Sequence, residues 1–192
     1  MLANGFADEG AVVIAKVDAD AASGKATAQR FDVGAYPTLK FFAKGASEPE
    51  TYEGGRTEAA LVEFLNAKTG TQRAVGGGLN ERAGRVPALD VQLRKLVRGD
   101  ASSVQSVLQT LETASVDESA DAAYYAKALK KLAAADNYVD KELARLRGIL
   151  ARGSIAPKKV DELTRKVNIL AQFFNPDKED VEAPSEGSKD EL

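Results

Sequence analysis

The 192-residue chain contains no cysteine and no histidine. The first absence rules out disulfides and any thiolate nucleophile. The second removes imidazole bases, and the two together remove the usual zinc-ligand sets. No apolar run approaches the ~18 residues that a membrane span needs, and no Asn-x-Ser/Thr acceptor for an N-linked glycan occurs. Basic excess is missing too: 26 Lys and Arg against 29 Asp and Glu leave a net charge of -3, which argues against a nucleic-acid footprint. Met1 is the single methionine, and residues 1–9 lack the basic, apolar and small-residue zones of a secretory leader. The expectation is a chain cut from a longer precursor, or one begun at an internal methionine.

What is present is ordinary globular composition, 44% apolar and 29% charged. The triple glycine Gly76-Gly77-Gly78 lies in a stretch from Gly70 to Pro87 without sustained periodicity, and it separates two unlike halves. It is not a phosphate loop, because neither a preceding strand nor a Lys-Ser/Thr pair accompanies it. Before it, Ala11-Val12-Val13-Ile14-Ala15-Lys16-Val17 is nearly continuously apolar and β-branched, which predicts a central parallel strand buried on both faces. Residues 23–31 predict a short helix. Thr38-Leu39-Lys40-Phe41-Phe42 predicts a second strand, turning at Lys44-Gly45 into an antiparallel third strand around Thr51-Tyr52-Glu53. Thr57 is placed to cap a helix with Glu58 in its first turn, Leu61, Phe64 and Leu65 on one face and Gly70 just past its end.

After Pro87 the apolar spacing becomes helical throughout. Leu89, Leu93, Leu96 and Val97 mark a first helix. Val104, Val107, Leu108 and Leu111 mark a second, capped by Asp100 or a nearby serine. Ala122, Tyr125, Leu129 and Leu132 mark a third, and Val139, Leu143, Leu146 and Leu150 a fourth. Gly153 ends the fourth, Pro157 suits the first position of a fifth, and Val160, Leu163, Val167, Leu170 and Phe174 form its stripe up to Pro176. Short connections favour a compact bundle of antiparallel neighbours.

From Asn175 onward there is too little apolar side chain to offset ordering entropy, so a disordered acidic tether is expected. Asp177, Glu179, Asp180, Glu182 and Glu186 lack the spacing of a calcium loop and suit solvation better. The tether ends in Lys189-Asp190-Glu191-Leu192, the spelling of the endoplasmic-reticulum retrieval signal, which a receptor reads at a free C-terminus. An address in the endoplasmic-reticulum lumen follows, with the KDEL receptor as a partner.

The run Val13-Ile14-Ala15-Lys16-Val17-Asp18-Ala19-Asp20, the stretch from Phe31-Asp32-Val33-Gly34 through Ala35-Tyr36-Pro37-Thr38 to Phe42, and Tyr52-Glu53-Gly54-Gly55-Arg56 resemble a thioredoxin-fold domain of the protein disulfide isomerase family. Tyr124-Tyr125-Ala126-Lys127-Ala128-Leu129, Tyr138-Val139-Asp140-Lys141-Glu142 and Lys166-Val167-Asn168-Ile169-Leu170 resemble the C-terminal domain of the endoplasmic-reticulum protein 29 family. The fold class implied is α/β plus all-α: a truncated thioredoxin fold over residues 1–70, a Gly-rich linker at 71–87, a five-helix C-terminal bundle at 88–174 and the tail at 175–192.

In that family a Cys-Gly-His-Cys site opens the second helix, and Leu2-Ala3-Asn4-Gly5-Phe6-Ala7 resembles the later turns of that helix. The redox cysteines would lie upstream of Met1. Thiol-disulfide exchange needs a thiolate, so this chain alone should have no such activity and no catalytic residue. The resemblance also places the strand of residues 12–17 between neighbours absent from this sequence. The first half is therefore expected to fold poorly or aggregate alone, and the helical half to fold independently.

The same resemblance implies a cis bond at Tyr36-Pro37 and a peptide-binding role for Tyr36, Pro37 and Thr38. There the backbone of Tyr36 would pair with an extended substrate by strand addition. Partners would be unfolded or nascent secretory polypeptides, and the resemblance admits a homo-oligomer through the helical domain. Tyr124, Tyr125, Tyr138, Phe173 and Phe174 suit a core better than a client groove, since aromatics at helical spacing bury large area. Asp18 and Asp20 suit loop and cap roles, and no cofactor or metal is expected. Two functional readings follow: part of a luminal protein disulfide isomerase, or a redox-inactive chaperone or escort.

Overall fold

The computed structural model describes residues 2–7, 10, 12–113 and 119–174, so the acidic tail and Lys189, Asp190, Glu191 and Leu192 lie outside the described residues. The chain divides into two compact units, residues 1–83 with 155–162, and residues 84–154 with 163–192.

The first unit holds α1 (Leu2–Gly5), α2 (Lys25–Arg30), β1 (Lys40–Phe41), β2 (Glu50–Thr51) and α3 (Glu58–Thr69). β1 and β2 pair antiparallel, Lys40 opposite Thr51 and Phe41 opposite Glu50. Tyr52 N donates to Leu39 O at 2.9 Å, carrying the pairing one residue further. Thr57 caps α3 as its residue type requires, its hydroxyl accepting from Ala60 N at 3.2 Å. Gly70, at φ 70°, ends the helix in the left-handed region that glycine adopts most cheaply. The core of this unit is Phe6, Val62 and Leu65, with Leu2, Val12, Phe41 and Phe64 packed against it. Phe64 meets Phe41 edge-on at 5.5 Å and Tyr52 at 4.7 Å, which anchors the hairpin on α3.

The central strand predicted for residues 11–17 does not form. Ala11 lies outside the described residues, and residues 12–18 join no ladder and no helix among them. Val12 turns toward the core, whereas Val13 is 88% and Val17 59% exposed. A strand needs a neighbour to receive its N–H and C=O groups, and none of the described elements supplies one.

Residues 71–87, read from the sequence as a Gly-rich linker, carry their own polar order. Asn66 Nδ2 donates to Arg73 O at 2.8 Å, and Asn66 Oδ1 accepts from Arg73 N and from Thr71 Oγ1, each at 2.9 Å. The α3 side chain thus stands in for a strand neighbour. Arg73 also bridges to Leu79 across the turn that contains Gly76, Gly77 and Gly78.

In the second unit α4 (Pro87–Leu93), α5 (Ala101–Thr113), α6 (Ala120–Ala134), α7 (Tyr138–Arg152) and α8 (Pro157–Ala171), whose residues 157–162 fall in the other unit, are the five helices the spacing predicts. Asp100 caps α5, accepting from Ser102 N and Ser103 N. Ser119 Oγ caps α6 by accepting from Ala122 N. The bundle core includes Leu93, Val107, Leu129, Val139, Leu146, Ile169 and Leu170, all from the predicted stripes or beside them. Two boundaries differ: α4 stops at Leu93, so Leu96 and Val97 fall in the following segment and Val97 is exposed, and α8 stops at Ala171, short of Phe174.

Candidate functional site

The site-bearing loop lies between α2 and β1. The Tyr36–Pro37 peptide is cis, as the resemblance implied. Two hydrogen bonds fix the loop from opposite sides. Thr38 Oγ1 donates to Ala35 O at 2.6 Å, closing it on itself, and Arg56 Nη2 donates to Pro37 O at 3.1 Å, tying it to the segment after β2.

Arg56 is itself held in place. Tyr52 Oη donates to Gly55 O at 2.7 Å, and a Cβ on Gly54 would fall 2.5 Å from that same phenol oxygen. Glycine at 54 lets the ring lie against the backbone, which turns the chain so that Arg56 points back at Pro37. In the sequence the motif Tyr52-Glu53-Gly54-Gly55-Arg56 carries only a resemblance. Its use as a brace was not legible, since the 19-residue separation between Arg56 and Pro37 follows no local periodicity.

Tyr36, Pro37 and Thr38 therefore lie together on one ordered loop, and Tyr36 is 57% exposed. Among the described residues neither Tyr36 N nor Tyr36 O has a backbone hydrogen-bond partner. A main-chain donor and acceptor thus lack a backbone partner among the described residues, as adding an extended peptide as a strand would require. Leu39, directly after this loop, adds exposed apolar surface, and Phe42, at the turn end of β1, is exposed and packs edge-on against Phe31 at 5.1 Å.

The paired acids hold a turn. Asp18 Oδ1 accepts from Asp20 N at 3.2 Å and Ala21 N at 3.3 Å. Among the described residues no group of three potential metal ligands comes together.

The aromatic residues of the helical unit fall into two groups. Tyr125 and Phe173 are core. Tyr125 Oη donates to Asp90 Oδ1 at 2.5 Å and accepts from Val86 N at 3.1 Å, while Arg85 Nε donates to Asp90 Oδ2 at 2.8 Å. Burial above all, and then the Asp90 bond, pushes the Tyr125 phenol well above its ordinary value. Tyr124, Tyr138 and Phe174 are only partly covered, and each ring has a cation over it: Lys166, Lys131 and Arg98 respectively. Sequence reasoning missed Arg85 and Asp90, although a buried tyrosine needs a partner for its hydroxyl and Asp90 sits on the predicted inner face of α4 beside Leu89 and Leu93.

Residues 84–173 match the family described as endoplasmic reticulum protein ERp29, C-terminal domain, and residues 1–67 match thioredoxin. Protein disulfide-isomerase erp38 of Neurospora crassa is 47% identical over 100% of the chain, which covers 51% of that protein. Protein disulfide-isomerase tigA of Aspergillus niger is also 47% identical over 100% of the chain, covering 50% of its own length. Protein disulfide-isomerase 1 of Dictyostelium discoideum is 35% identical over 90% of the chain and 49% of its length. The chain spans about half the length of these curated relatives. A thioredoxin segment joined to an ERp29-type helical domain, at this level of identity across the whole sequence, places the chain in the protein disulfide-isomerase family.

Proposed function

We propose that these residues form part of a luminal protein disulfide isomerase that assists oxidative folding of secretory proteins, and that they contribute binding rather than redox chemistry. The carrying observation is the 47% identity to protein disulfide-isomerases across the full 192 residues, combined with a cysteine count of zero. Without a thiolate, residues 1–192 cannot attack a disulfide. The redox pair would belong to sequence outside them. Their own contribution is the braced loop of Tyr36, Pro37 and Thr38, where an unfolded or nascent secretory chain is held by main-chain hydrogen bonds. Lys189, Asp190, Glu191 and Leu192 are the address that the KDEL receptor reads, which keeps the protein in the endoplasmic-reticulum lumen.

A second reading, a redox-inactive escort of unfolded polypeptides, draws on the same zero cysteine count and on the match to the ERp29 C-terminal domain. Intact-mass measurement of the endogenous protein, captured through its helical domain and alkylated after reduction, separates the two. A mass well above 20.3 kDa carrying alkylated cysteines supports the isomerase. A mass near 20.3 kDa with no alkyl group added overturns it in favour of the escort.

A further inference from the structure

The guanidinium that braces the loop at residues 35–38 is not exhausted by that role. Arg56 is exposed, and its one hydrogen bond among the described residues runs from Nη2 to Pro37 O at 3.1 Å. Elsewhere in the unit Lys68 pairs with Glu50 and Arg73 with Asp161. Neither Glu53, three residues before Arg56, nor any other carboxylate among the described residues pairs with Arg56.

A guanidinium presents its N–H groups as two-pronged edges that match a carboxylate. The carbonyl of Pro37 takes a single Nη2 hydrogen, so one such edge stays unused whichever hydrogen that is. Its place is fixed from both ends of the side chain. Tyr52 Oη holds Gly55 O at 2.7 Å immediately before Arg56, and Pro37 O holds the guanidinium itself. A carboxylate arriving there costs less side-chain entropy than it would on a solvated arginine.

Pro37 follows Tyr36, whose N and O have no backbone partner among the described residues. A partner strand paired at Tyr36 advances ~3.4 Å per residue, so a residue one or two steps from the paired one comes abreast of Pro37 and the guanidinium on its carbonyl. Main-chain pairing alone accepts any sequence, and Arg56 adds a side-chain requirement beside it.

Resting on the peptide-binding reading above, we propose that this loop prefers extended segments with an Asp or Glu one or two residues from the point of pairing, and that Arg56 recognises the carboxylate. The pair is open to solvent, so it sorts sequences more than it adds affinity.

The test uses the full chain and two blocked peptides, acetyl-Thr-Val-Thr-Glu-Thr-Val-Thr-amide and its Gln counterpart. The Tyr36 and Thr38 amides and the Arg56 Nε–H are followed by nuclear magnetic resonance during titration. Blocked ends leave the Glu carboxylate as the sole acid, and a short strand can slide until that side chain meets Arg56. The Glu peptide should bind roughly three- to five-fold more tightly than the Gln peptide, the range open to an exposed ion pair. It alone should shift the Arg56 Nε–H. Near 1 M salt, where the Debye length is ~3 Å, the preference should fade. In Arg56→Gln both affinities fall with the brace, but the two peptides should become equal. Equal affinities for the unaltered chain overturn the proposal and leave peptide binding standing. A preference that survives in Arg56→Gln overturns it too, because another group would then be its source. If neither peptide shifts the Tyr36 and Thr38 amides, the peptide-binding reading fails and the proposal falls with it.

Discussion

Replacing Tyr125 by Phe should destabilise the helical unit by about 2–3 kcal/mol, from the loss of a hydroxyl bonded to a carboxylate and of the acceptor for a backbone amide. Tyr125 is 0% exposed, so water cannot replace either bond. Its phenol donates to Asp90 Oδ1 and accepts from Val86 N, and Asp90 is itself buried with Arg85 on its other oxygen. Deleting the hydroxyl leaves Val86 N–H without that acceptor at the entry to α4 and leaves one Asp90 oxygen dry. For a domain of this size each kcal/mol shifts the melting midpoint by about 4–8 °C, so a fall on the order of 10–20 °C is expected in far-ultraviolet circular dichroism. The neighbouring residue supplies the control. Among the described residues Tyr124 Oη is enclosed without a partner in hydrogen-bond geometry, the Tyr138 phenol being near but not bonded to it, so Tyr124→Phe should leave the midpoint unchanged or slightly raised. Equal shifts from the two substitutions would refute the reasoning, because burial alone would then account for both.

The same phenols give a pH signature. Burial raises both Tyr124 and Tyr125, so their folded values lie above the unfolded value near 10. Stability should hold below pH ~10 and fall above it, by up to ~1.4 kcal/mol per pH unit for each phenol, as only the unfolded chain releases protons. Urea melts across alkaline pH should show a shallower fall in Tyr125→Phe, and an unchanged slope would count against it. Gly84 sits at φ +81° with Arg165 so close that a Cβ would lie 2.7 Å from the Arg165 Cβ. Gly84→Ala should therefore cost roughly 2–3 kcal/mol, whereas Gly148→Ala, where a Cβ meets open space, should be neutral or stabilising in the same melts. Asn66→Ala removes three hydrogen bonds to Thr71 and Arg73, and about 2–3 kcal/mol of local stability with them. Hydrogen exchange at residues 71–79 should rise in that variant, with α6 and α7 unaffected.

Much of the helical unit was legible because each helix satisfies its backbone within its own segment. Spacing, Asp100 as a cap, Gly153 at φ 71° closing α7 and Pro157 opening α8 are local facts, and local facts can be read from a linear string. The exception at Leu96 and Val97 has a local cause too. Gly99 at φ 79° and the turn at Asp100 compete for the residues that would have continued α4, and Val97 N instead donates to Ser103 Oγ in the cap of α5.

The strand predicted at residues 11–17 shows the other side of this. Its composition is right for a buried strand, and Val12 does turn inward, yet a ladder is a property of two segments; composition is silent on the partner, and only the resemblance implied that the neighbours are absent from this sequence. The same distinction separates what was and was not legible in the loop at 35–38. Residue types pointed to Tyr36 and Pro37, but the contacts that make the loop a fixed surface come from Arg56, Tyr52 and Gly54, beyond the hairpin. Those braces bear on the peptide-binding reading directly. Arg56→Lys keeps the charge but loses the fork that reaches Pro37 O, so it should loosen the loop without unfolding α3, whose cap at Thr57 does not depend on the guanidinium. A model extended peptide should then bind several-fold more weakly than to the unaltered chain, while the hairpin retains its amide protection. Unchanged peptide affinity would mean that the loop's order, and with it the strand-addition surface, does not rest on Arg56.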